Sequence, residues 1–152
     1  MSIRGFDQRK AAKSFADRWK GHGYEKGETQ KFWIDLLANV FGVKDIARFI
    51  YFEEQVKDKI QGKTITNFID AYIPSTCVMI EQKSSHKDLR ELIKQSDGRM
   101  KTPFQQARDY ISTLPLSQHP KWIVTCNFDE ILIYDMENPS DEKLYFSCGS
   151  HE

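Results

Sequence analysis

FIDAYIPSTCVMIEQKS, residues 68–84, is two short apolar runs joined by a Pro74-Ser75-Thr76 turn, with Asp70 in the first and Glu81-Gln82-Lys83 in the second. Strand side chains alternate faces, so Glu81 and Lys83 point one way and Gln82 the other. A short antiparallel connection brings Asp70 beside them. Charges on otherwise apolar strands are costly unless they are paired or hold a cation. Two carboxylates binding a divalent metal beside an ammonium satisfy that requirement, and the same set suits hydrolysis of a phosphodiester.

Outward from this stretch, the pattern predicts one α/β domain around a single sheet. Upstream, Phe6, Phe15 and Trp19 suit an amphipathic helix over 8–20, ended by Gly21-His22-Gly23. Phe32, Trp33, Leu36, Leu37, Val40 and Phe41 recur at helical spacing and predict a helix over 28–41, closed by Gly42. The run over 46–58 is readable as helix or strand, and its Phe-Ile-Tyr-Phe core favours a strand from Phe49 to Val56. Strands over 65–73 and 77–83 follow. Downstream, Phe104, Ala107, Ile111 and Leu114 mark a helix over 104–113 between Pro103 and Pro115. KWIVTC and EILIYDM, linked by Asn127-Phe128-Asp129, read as a terminal hairpin, and the sequence after Asn138-Pro139 is weakly patterned. These boundaries divide the chain into an N-terminal helical extension over 1–26, a core over 27–137 and a tail over 138–152.

With 152 residues and 39% hydrophobic content, the chain suffices to bury a core without disulfides. No apolar run reaches the length of a bilayer span, and the charged start MSIRGFDQRK does not resemble a signal sequence, which predicts a cytoplasmic location. Cys77, Cys126 and Cys148 have neither CxxC nor zinc-ligand spacing and read as reduced thiols. The four histidines, His22, His86, His119 and His151, read as surface or loop residues, which leaves a serine or cysteine nucleophile without a base. A net charge of zero argues against a module that holds nucleic acid by electrostatics alone. Between Lys83 and Arg108, however, seven basic residues stand against three acidic ones, a segment that predicts a phosphate-facing surface next to the site.

An acid followed at a loose distance by acid-x-Lys is weakly specific, and this chain holds a second copy in Asp129 and Asp141-Glu142-Lys143. That copy lies beyond Asn138-Pro139-Ser140, in a predicted loop, and is set aside. Around Asp70 and Glu81, by contrast, Ile69, Ala71, Ile73, Val78 and Ile80 embed both acids in strands.

Asp70, ten intervening residues and Glu81-Gln82-Lys83 on paired strands resemble the PD-(D/E)XK nuclease superfamily, although Ile69 stands where the superfamily name has proline. Gln106 and Tyr110, on one face of the helix after the third strand, match the Q-x3-Y element of its recombination-exonuclease branch. Glu28 matches an acidic residue that several such nucleases carry on their first helix. More narrowly, GETQKFWIDLLANVFGV, FIDAYIPSTCVMIEQKSS, QSDG, TPFQQARDYI and PKWIVTCNFDEILIYD resemble, in order, the N-terminal endonuclease domain of MmeI-like fused type II restriction-methyltransferases.

The resemblance implies a restriction-endonuclease-like fold, a central mixed sheet flanked by helices with an antiparallel hairpin carrying the site. It implies Mg²⁺, with Mn²⁺ as the alternative, held by Asp70, Glu81 and the Gln82 backbone carbonyl. Lys83 would orient the attacking water, Gln106 and Tyr110 would position phosphate or nucleophile, and Glu28 would complete the site. The implied partners are DNA, a separately encoded methyltransferase or specificity module, and a second copy for double-strand cleavage. Methyltransferase motifs are missing from this sequence, so a stand-alone nuclease domain, a remnant or a subunit is expected. A nuclease-fold module without catalysis and a nuclease of RNA or single strands are the competing expectations. Phe104, Trp122 and Phe128 are weighed as base-stacking platforms against core packing, with Phe128, at a turn, the one of interest.

Overall fold

The computed structural model describes residues 5–60, 63–138 and 142–147, with side chains over 7–53 and 68–138. Its centre is a six-stranded mixed sheet in the order β1-β2-β3-β6-β7-β8. Strands β1 (Tyr51–Ile60), β2 (Lys63–Ile73) and β3 (Val78–Gln82) form an antiparallel meander. Strand β6 (Trp122–Cys126) then lies parallel to β3, and β7 (Glu130–Asp135) and β8 (Glu142–Ser147) continue the sheet antiparallel.

The parallel pair sets the architecture. Joining β3 to β6 needs a crossover, and it is made by a two-strand ribbon, β4 (Ile93–Lys94) with β5 (Met100–Lys101), and the helix α4 (Pro103–Ile111). Helix α4 covers one face of the sheet, where Ala107 and Ile111 pack with Met79, Ile123 and Leu132. The other face is covered by α1 (Gly5–Trp19) and α2 (Glu25–Asp35), which runs into a π-helical turn, Leu36–Val40. There Phe15, Phe32, Trp33 and Leu36 pack on Ala71, Ile80 and Val124. Strands β3 and β6 are buried from both faces and are accordingly near-continuous apolar runs.

Several expectations need revision. The 46–58 segment is both things its pattern allowed, a short helix α3 (Ile46–Phe49) and then β1. Helix α2 begins at Glu25, three residues before the predicted start, because Tyr24 supplies the extended N-cap backbone and Gly27 is already helical. Residues 142–147, read as part of a weakly patterned tail, form the outermost strand, paired with β7 through a register irregularity at Ile133/Tyr134. Phe128 is no stacking platform: it is 1% exposed, has a φ of 72°, and lies against Trp19 and Phe32 in the core. Phe104 is stacked on Tyr134. Cys126 is buried, its Sγ accepting from the Phe128 N–H at 3.4 Å, and Cys77 is half-buried; neither is in a disulfide. Asp141, the middle of the second motif copy, lies outside the described residues. Among the described residues no helix is long and apolar enough to cross a membrane.

Candidate active site

The site forms where β2 and β3 part. Their ladder runs from Ile73↔Val78 to Ala71↔Ile80 and then stops. Two residues on, the Gln82 N–H faces the same neighbour and would be left without a partner. Asp70 meets it with a side chain in place of a backbone carbonyl, its Oδ2 accepting from the Gln82 amide at 2.7 Å. On its other edge β3 stays paired with β6 as far as Gln82↔Cys126. The acid is thereby fixed at the mouth of a fork in the sheet, beside Glu81.

Glu81 and Lys83 share the face under α4. The Lys83 Nζ lies 3.1 Å from Glu81 Oε1, with side chains 12% and 4% exposed. It also donates to Gln106 Oε1 at 2.8 Å, and Gln106 Nε2 donates to the Tyr110 hydroxyl at 3.1 Å. The sequence Thr102-Pro103-Phe104-Gln105 fixes the start of α4 by a capping box: Thr102 Oγ1 accepts from the Gln105 N–H at 3.2 Å and Gln105 Oε1 from the Thr102 N–H at 3.0 Å. The capped first turn delivers Gln106 to the ammonium, and Tyr110, one turn on, supports Gln106.

Gln82 points the other way and is fully buried. Its Oε1 accepts from the Trp33 indole at 2.8 Å and its Nε2 donates to the Lys83 carbonyl at 3.3 Å. Helix α2 therefore holds the strand between Glu81 and Lys83 from behind.

The electrostatics are those of a site short of positive charge. Burial pushes the Asp70 carboxyl up to about 6, and the charges of Glu25 and Glu53 add to this against the Gln82 amide and Lys83. Glu81 rises to about 8, first through burial and then through Asp70, and the Lys83 ammonium does not offset both. Burial and then the Glu81 charge push the Tyr110 hydroxyl up to about 12, so it stays protonated at neutral pH.

Two carboxylates missed by the motif act on this pair. Glu25, at the start of α2, raises both acids and approaches Ser84 Oγ at 3.4 Å. It is brought there because the α1–α2 link is pressed against the chain leaving β3: the Ser85 N–H donates to the Gly23 carbonyl at 3.2 Å, and a Cβ on Gly23 would stand 2.3 Å from that of Ser85. Glu53 stands between the β1–β2 pairs Phe52↔Ala71 and Glu54↔Ile69, across from Asp70, with a φ of 54°.

Glu28, the acid expected to complete the site, is occupied otherwise. Its Oε2 accepts from the Gly23 and Tyr24 N–H groups at 2.8 and 2.9 Å, and its Oε1 meets His22 at 3.0 Å, which holds its carboxyl below the usual range, His22 contributing most. Glu28 closes the N-terminus of α2, and Glu25 is the α2 acid facing Asp70 and Glu81. The pair Glu25/Glu28 was visible in the sequence, and choosing between them required knowing where the helix begins.

The basic segment over 83–108 is not a free cationic belt either. Arg90 pairs with Glu130 at 3.1 Å, Arg99 with Asp97 at 3.5 Å and Lys101 with Asp109, while Lys83 turns inward. Arg108 lies over the Phe104 ring.

A family model described as the N-terminal domain of MmeI matches residues 10–148, nearly the whole chain and every element bearing on the site. The chain belongs to the MmeI N-terminal domain family. This ties the domain to restriction-modification. No curated protein and no solved structure matches it.

Proposed function

We propose that this MmeI-type domain is a divalent-metal-dependent endonuclease of PD-(D/E)XK type that hydrolyses DNA phosphodiesters within a restriction-modification system. The observation carrying the reading is the meeting of Asp70, Glu81 and Lys83 at the β2–β3 fork, where a buried and a half-buried acid face a single ammonium.

The donor set fits a hard cation. Asp70 and Glu81 offer carboxylate oxygens, met by the Gln82 N–H and the Lys83 ammonium. Among the described residues no group of three or more His, Cys, Asp or Glu forms a ready-made cage. That suits Mg²⁺, which keeps several waters and takes one or two carboxylates together with phosphate oxygen. Asp70 and Glu81 would hold the ion, with the Gln82 carbonyl as a backbone ligand. When bound, it would polarise the phosphate and acidify a water.

The residues of the chain supply the rest. Lys83, held by Gln106, presents a movable point charge where negative charge grows on the phosphate. Gln106 keeps its amide oxygen on the ammonium because its amide nitrogen is engaged by Tyr110. Trp33 fixes Gln82, so the backbone between Glu81 and Lys83 does not shift as those two act. With zero net charge, and with Lys83, Arg90, Arg99 and Lys101 of the basic segment in ion pairs, a DNA-recognition partner or a second copy would supply much of the affinity and the sequence preference.

Supercoiled plasmid tests the reading. The folded chain should nick it in Mg²⁺ or Mn²⁺ and not in EDTA, and Glu81→Gln should abolish nicking. A folded wild type that binds metal and leaves the plasmid intact would contradict an autonomous endonuclease.

A further inference from the structure

Thr125 is the β6 residue paired with Glu81 in the parallel β3–β6 ladder, so both belong to one face of the sheet on strands about 4.8 Å apart. Two residues earlier the paired Met79 and Ile123 lie in the cluster under α4, which fixes that face as the catalytic one. Thr125 is wholly buried, and among the described residues its Oγ1 is the buried side-chain polar atom with no hydrogen-bond partner. The neighbouring buried polar groups are matched: Gln82 by Trp33, Asn127 by the Lys87 carbonyl, Lys83 by Gln106 and Glu81. An unmatched buried hydroxyl costs free energy that a valine of the same shape does not. The cost is explained if the hydroxyl acquires a partner in another state of the site.

We propose that Thr125 is a positioning residue for Glu81, its hydroxyl donating to the Glu81 carboxylate when that group turns from Lys83 to a bound divalent cation. The inference rests on the metal-dependent reading above. The Lys83 ammonium holds Glu81 through Oε1 at 3.1 Å. A cation held by Asp70 and Glu81 would compete for that carboxylate and would leave the Lys83 ammonium available to substrate. Tyr110 is held on α4 by accepting from Gln106 Nε2. Thr125, on the rigid strand alongside, has a free donor and sits where it can fix the carboxylate rotamer. A residue that orients a metal ligand in this way typically changes affinity about 10- to 100-fold when removed.

Calorimetric titration of the full chain with MnCl2, for wild type, Thr125→Val and Thr125→Ser, tests this, together with metal-free thermal melts. Valine should weaken Mn²⁺ binding by about tenfold or more while leaving the metal-free melting temperature unchanged or higher, and serine should restore the affinity. Wild-type affinity in the valine variant overturns the proposal. So does a serine variant as weak as valine, which would make the effect one of packing, or a lowered metal-free melting temperature in the valine variant, which would mean the hydroxyl already has its partner. A wild type that binds no Mn²⁺ defeats the metal-dependent reading itself, and is distinguished from these outcomes by the wild-type trace.

Discussion

The two faces of β3 treat buried polar groups in opposite ways. Toward α2, Gln82 is neutral, fully buried and met by Trp33 and the Lys83 carbonyl. Toward α4, Glu81 is an acid beside a second acid, held by one ammonium, with a threonine hydroxyl on the neighbouring strand that has no hydrogen-bond partner among the described residues. The two environments belong to consecutive residues. The first is what a protein does with a buried amide to gain stability, and the second is what it tolerates at a site that works on charge. On the proposed function each face depends on the other, because the matched face would keep the strand still while the other binds metal and reacts.

The sharpest way to break the comparison is to remove Lys83. Lys83→Ala should lower the cleavage rate on the order of 10²- to 10³-fold with metal binding retained, measured as plasmid nicking alongside calorimetry. Parallel loss of metal binding would make Lys83 a structural counter-ion.

On the matched face the penalty should fall on stability. Trp33→Phe keeps the ring packing and strips the donor from Gln82 Oε1, leaving a buried acceptor unpaired, and should cost about 1–3 kcal/mol in denaturant unfolding. A cost near zero would mean the amide finds another partner.

The strained face should show the reverse sign. Asp70 and Glu81 both titrate above their ordinary values, at about 6 and about 8, so the folded protein holds protons that the unfolded chain releases. Metal-free stability is therefore highest below the unfolded carboxyl values and falls as pH rises from about 4 through 6 to 8. Asp70→Asn should flatten the Asp70 part of that fall and raise metal-free stability at pH 8 by about 1–3 kcal/mol, read from melts across pH. A variant less stable than wild type at pH 8 would contradict the assigned strain.

The smallest effect separates the two acids of α2. Glu28→Gln disturbs a half-buried helix start and should cost under about 1 kcal/mol without affecting metal affinity. Glu25→Gln should leave stability nearly unchanged and alter metal affinity.

The sequence carried the centre of this picture and lost its margins. Asp70, Glu81 and Lys83 were legible because charge inside apolar strands has few physical explanations, and Gln106 and Tyr110 because one helical turn separates them. Glu25 was missed because the helix start was read from Gly27, whereas the decisive contacts are backbone N–H groups accepted by Glu28 and a close approach of Gly23 to Ser85. Thr125 and Trp33 had no local signal, since a threonine or tryptophan in an apolar run reads as core, and only the β3–β6 register and the α2 packing bring them to Glu81 and Gln82. Phe128 was misjudged because turns are normally exposed, and here the turn folds its ring back beneath Trp19.

The central claim is that the Asp70–Glu81 pair is a place for a divalent cation. Calorimetry with Mg²⁺ and Mn²⁺ on wild type, Asp70→Ala and Glu81→Ala, each checked for fold by circular dichroism, tests it most directly. Binding by wild type that is lost in both folded variants is the predicted result. Folded wild type that takes up neither ion, or variants that bind as wild type does, would contradict it.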